Sequence, residues 1–129
     1  MGKISKLICL LLLMLFLASP ATTFAASLDT EWGPWIPAPG APQIYYRLQC
    51  FSKLPDDVYG WAMQLRSDKP KKLLTSGLLN VTDGRVNDYW RPFNALPGDK
   101  AMISSIALYA GPGEQVDVGF KEVKERWVR

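Results

Sequence analysis

The chain contains no histidine. That absence removes the Ser-His-Asp and Cys-His arrangements that activate a nucleophile. It also removes the commonest ligand of zinc and copper sites. Cysteine is nearly absent too: only Cys9 and Cys50 occur. Cys9 opens an apolar run instead of following it, so it is not placed as a lipoprotein cysteine. Long apolar runs are missing apart from one, Leu7 to Leu17, which is short of the roughly 20 residues a membrane helix needs. Charge of one sign is also missing. The 129 residues carry a formal net charge of +3.

The one apolar run has a clear context. Lys3 and Lys6 precede it, Pro20 breaks it, and Thr23-Phe24-Ala25 places small residues at both ends of a cleavage tripeptide. This is the layout of a secretory signal peptide covering residues 1–25, with cleavage expected after Ala25. The leader carries two lysines and no acid, so the remaining 104 residues carry +1. A nearly neutral domain of this size gives no electrostatic case for nucleic acid or an anionic membrane. The densest basic spot, Lys69-Pro70-Lys71-Lys72, reads as a solvated turn. With Cys50 alone after cleavage, no internal disulfide can form, and the domain must stand on its packing.

Helical periodicity is lacking beyond the leader, and the pattern that is present is alternation. Residues 26–42 hold Pro34, Pro37, Pro39 and Pro42, which excludes helix and central strand. This segment is expected to run extended along a sheet edge. A single domain should fill residues 43–129. Gln43 to Phe51 alternates Ile44, Tyr46, Leu48 and Cys50 against Tyr45, Arg47 and Gln49. The first set should point inward, which buries Cys50 as a small hydrophobe. Val58 to Arg66 likewise sets Trp61, Met63 and Leu65 against Ala62, Gln64 and Arg66.

Lys72 to Thr82 is a third strand with a bulge or bend expected at Gly77. Asp83-Gly84 signals a turn. Residues 85–99 are ambiguous between strand and loop. Ala101 to Ala110 is apolar on both parities, as for a well-covered strand. Gln115 to Phe120 alternates, and a parity change toward Val123 and Trp127 places a bulge near Lys121 and Glu122. Turn signals every 8 to 14 residues or so fit an all-β fold, either a small antiparallel β-sandwich or a small barrel. The immunoglobulin and fibronectin domains are an architectural analogy, since the paired cysteines of antibody domains are missing.

The carboxylates Asp56, Asp57, Asp83, Asp88, Asp99, Glu114 and Asp117 mostly sit beside turn residues, where aspartate caps backbone amides. No pair stands out for acid-base work, so no catalytic residues, no metal site and no cofactor are assigned. Residues 83–88 have oxygen ligands but not the EF-hand spacing. Asn80-Val81-Thr82 fits the glycosylation sequon.

The aromatics are the remaining lead. Tyr45, Arg47, Gln64 and Arg66 are expected to share an outward face. Trp90 and Arg91 fall in a loop and are added to them as candidate ligand-binding residues. Trp61 should be core, while Trp32, Trp35 and Trp127 should pin the termini. Arg47 and Arg66, facing water, are expected to contribute no more than about 0.5 kcal/mol each. The expectation is an exported, non-enzymatic domain that binds a protein partner or an envelope component. A carbohydrate-binding module using exposed aromatics is the alternative. Neither nucleic acid nor integral membrane insertion after cleavage is expected.

Overall fold

The computed structural model describes residues 27–85 and 89–129. The expected leader and its cleavage point lie outside the described residues, as do Val86, Asn87 and Asp88. Seven strands form two antiparallel sheets, with no helix among the described residues. They are β1 (Ile36–Pro37), β2 (Ile44–Lys53), β3 (Tyr59–Ser67), β4 (Leu73–Thr82), β5 (Arg91–Ala95), β6 (Lys100–Leu108) and β7 (Asp117–Trp127). The first sheet runs in the order β1-β2-β3-β6 and the second in the order β5-β4-β7. Neither sheet closes on itself, so the barrel alternative is set aside and a two-sheet, sandwich-like arrangement remains.

Alternation decides which side chains lie between the sheets. Ile44, Tyr46 and Cys50 from β2 meet Leu65 and Met63 from β3, Leu79 and Val81 from β4, and Ile106 and Leu108 from β6. Phe120 of β7 packs against Tyr46 of the other sheet, with ring centroids 6.1 Å apart. It also meets Phe93 edge-on at 5.3 Å. Trp61 is buried, pairs across the ladder with Cys50, and donates its indole N–H to the Ala110 carbonyl at 2.8 Å. That bond removes the usual cost of burying an indole nitrogen.

Bulges explain where simple parity fails. The β4/β7 register shifts between Ser76 and Leu78, and Glu122 takes a left-handed φ of 54°. Gly77 accommodates the bulge: a Cβ there would lie 2.9 Å from the Lys121 carbonyl oxygen. Both features were expected. A second irregularity was not. The β3/β6 register shifts between Trp61 and Met63, and Ser105 has φ 66°. Sequence parity puts Met102, Ser104, Ile106 and Leu108 on one face. In the structure Met102 and Ser104 are exposed, whereas Ile106 and Leu108 are fully buried. The extra residue in β6 turns one half of the strand over relative to the other.

The ambiguous stretch resolves into the short edge strand β5, whose Pro92 fits an edge position. The proline-rich segment runs along β2 as expected. Asp29 N–H donates to the Cys50 carbonyl, and Gly33 N–H donates to the Leu48 carbonyl, both at 2.9 Å. The Asp29 carboxylate accepts from the Cys50 N–H at 2.9 Å. Trp127 departs from expectation. It lies at the end of β7 opposite Leu73, the first residue of β4, and is 68% exposed, so it pins nothing.

Candidate binding face

The outer face of the first sheet is built from the residues of β2 and β3 that alternate away from the core. Tyr45 pairs across the ladder with Arg66, Arg47 with Gln64, and Gln49 with Ala62. These are the outward sets read from sequence, so four of the six candidate residues share one surface. The extended segment adds two members that sequence reasoning assigned elsewhere. Because residues 29–36 are tied to β2, Trp32 and Trp35 lie over this face.

The result is an alternation of rings and guanidinium groups. The Arg47 guanidinium carbon lies 5.3 Å from the Trp32 ring centroid and 4.4 Å from that of Trp35. Arg66 lies 4.7 Å from Trp35 and 4.6 Å from Tyr45. The order is therefore Trp32, Arg47, Trp35, Arg66, Tyr45. Each contact sets a cation against the negative face of a ring. Hydrogen bonds fix the two arginines further. Arg47 Nε donates to Gln64 Oε1 at 2.7 Å, and Arg66 donates to both Asp68 carboxylate oxygens at 3.1 and 3.2 Å. All five members of the ladder are half-buried. A planar guanidinium suits such stacking where an ammonium does not.

Beside the ladder the same face opens into a shallow apolar hollow. Trp32, Gln49, Phe51, Ala62, Met102 and Ser104 line it. It continues past Phe51 toward Leu54, Gly60 and Ser105. Met102 is 60% exposed, Phe51 45% and Leu54 40%. The outward parity of Phe51 was readable from β2. Met102 was hidden by the β6 bulge, and Leu54 by its turn.

Trp90 and Arg91 do not join this face. They stand at the start of β5 in the other sheet. The Trp90 ring lies over Gly119, and Lys121 Nζ is 4.2 Å from its centroid. Arg91 stacks on Tyr89 at 4.8 Å and reaches the Ser104 carbonyl of β6 at 3.5 Å. The six candidates thus divide between two sheets.

No protein-family model, curated protein or solved structure matches this chain. The chemistry of the face must therefore be argued from its own residues.

Two further groups are accounted for by burial or by local hydrogen bonds. Cys50 is a free, fully buried thiol on the inner side of β2, and its pKa is pushed up to about 11 by burial and by the nearby Asp29 carboxylate. A thiol so protonated is a poor nucleophile. Asp83 accepts from the Arg85 N–H and the Ala110 N–H, both at 2.8 Å, joining two loops at one end of the molecule. Among the described residues no group of three or more acidic or cysteine side chains could hold a metal ion.

Proposed function

We propose that this is an exported, non-enzymatic binding domain whose outer β1-β2-β3-β6 face engages a protein partner outside the cytoplasm. The carrying observation is the apolar hollow of Trp32, Phe51 and Met102 set directly beside a ladder that holds its side chains in place. Protein-binding hot spots favour Trp, Tyr and Arg grouped around an apolar centre. A prearranged face also loses little side-chain freedom on binding. The architecture, four strands over three, is read as a sandwich of the immunoglobulin or fibronectin kind, and that kinship alone assigns no ligand.

The carbohydrate alternative needs open ring faces to stack on sugar. Trp35 has two guanidinium neighbours and Tyr45 has one, so sugar stacking there would compete with existing contacts. Exposed strand edges are a weaker route to a partner. β6 and β7 carry bulges, β1 is two residues long, and β5 contains Pro92.

The test combines capture from the native envelope with a glycan array, using wild type and the Phe51→Ala/Met102→Ala double variant. Both residues are exposed, so the melting temperature should be nearly unchanged. The expected result is a discrete protein captured by wild type and lost with the double variant. Undiminished capture by the variant, or glycan binding lost on Trp32→Ala, overturns the assignment.

A further inference from the structure

The near-zero net charge of residues 26–129 conceals a strong polarity along the strands. At one end the β3–β4 turn brings Lys71 and Lys72 beside the end of β7, which supplies Lys124, Arg126 and Arg129. Their proximity is fixed by backbone pairing. Leu74 is opposite Arg126, Ser76 is opposite Lys124, and the Val128 N–H donates to the Lys72 carbonyl at 2.7 Å. All five cations are exposed, and none makes an ion pair among the described residues. The local acids are already neutralised: Asp68 pairs with Arg66, and Glu125 with Lys69. At the opposite end Asp56, Asp57, Asp83, Glu114 and Asp117 outnumber Lys53 and Arg85. A second, independent feature marks the basic end: Trp127, 68% exposed, is the last residue of β7.

We infer that the basic end, with Trp127, docks peripherally on an anionic phospholipid surface. Cations draw such an end to the negative headgroup layer. An exposed tryptophan suits the polar–apolar boundary just beneath it. The acidic end does not cancel this attraction. An 11-residue strand at about 3.3 Å per residue separates the two ends by roughly 35 Å. That is about four Debye lengths at physiological salt. The Tyr45–Arg66 rung of the ladder adjoins this end, whereas Phe51 in the hollow lies toward the other end of β2, so docking here leaves the Phe51 side of the hollow uncovered. Lys71 and Lys72 therefore have a role beyond the solvated turn read from sequence, while Lys69 is held by Glu125. The tertiary fold gathers charges that composition averages away.

Vesicle co-sedimentation tests the inference, using the chain from Ala26, the start expected after cleavage of the leader. Phosphatidylglycerol-containing vesicles are compared with pure phosphatidylcholine vesicles. Wild type should bind the anionic vesicles at about 0.1 M salt and release them near 1 M, where screening shortens to roughly 3 Å. With roughly fivefold per cation, the Lys71→Gln/Lys72→Gln/Arg126→Gln variant should bind about a hundredfold more weakly. Trp127→Ala should weaken binding several-fold at every salt concentration. Equal binding to both vesicle types, or triple-variant binding within a factor of two of wild type, overturns the inference. So does a wild type that binds soluble heparin but no vesicles, which would assign the patch to a polyanion instead.

Discussion

Replacing Arg47 with alanine is the sharpest test of the ladder as a physical object. Arg47 touches two indole rings, at 4.4 and 5.3 Å, and donates Nε to Gln64 at 2.7 Å. Each cation–π contact at a partly exposed site contributes about 0.5–1 kcal/mol. A net hydrogen bond contributes on the order of 1 kcal/mol when partly solvated. The sum is about 2–3 kcal/mol, well above the roughly 0.5 kcal/mol expected of an ordinary surface arginine. For a domain near 100 residues this lowers the melting temperature by roughly 8–24 °C. Thermal unfolding followed by near-ultraviolet circular dichroism reads both the loss and the freed tryptophans. Arg47→Lys should recover only part of it, because an ammonium cannot stack or reproduce the Nε bond. Arg126→Gln, an exposed cation without an ion-pair partner, is the control and should stay within about 0.5 kcal/mol of wild type. If Arg47→Ala melts within roughly 3 °C of wild type, the ladder is a surface coincidence and not a support for the face.

Trp61→Ala should cost about 3–5 kcal/mol in chemical denaturation, because it opens a cavity and strips the Ala110 carbonyl of its donor. Thr75 is fully buried, and its hydroxyl has no hydrogen-bond partner among the described residues. Thr75→Val should therefore raise stability by about 1–2 kcal/mol, and a lower melting temperature would contradict the unsatisfied hydroxyl. Cys50 and Tyr46 both have raised pKa values, chiefly from burial, so the folded state favours their protonated forms. The stability this contributes is complete below the unfolded values and lost as pH rises through the folded ones. For Cys50 the loss falls between pH 9 and about 11. A pH series of unfolding midpoints should decline on that alkaline limb, and Cys50→Ala should flatten it in part. In the native state a thiol reagent should label Cys50 slowly, at a rate limited by opening of the fold.

Much of the fold is legible in the chain because alternation is a local property. Tyr45, Arg47, Gln64 and Arg66 share a face by counting alone, and Cys50 and Trp61 are buried by the same count. The bulge in β7 is announced by Gly77 and by the parity change before Val123. The bulge in β6 has no such sign. Ser105 occupies a left-handed conformation without being glycine, asparagine or aspartate, so Met102 and Ile106 look like one face when they are on two. The ladder was missed for a different reason. Its tryptophans come from a segment whose prolines exclude regular structure, and only its pairing to β2 brings them over the arginines. The charge polarity was missed because turn 68–72 and residues 124–129 are distant in sequence and adjacent only through β4/β7 pairing.

Site-specific photo-crosslinking in the native envelope tests the binding face most directly. A photoreactive side chain is placed at Met102, in the hollow, and in a second variant at Asn94, an exposed position of β5 in the other sheet. The account predicts a discrete protein adduct from position 102 and none from position 94. Adducts of equal yield from both positions, or none from position 102 in a folded and exported protein, would contradict it.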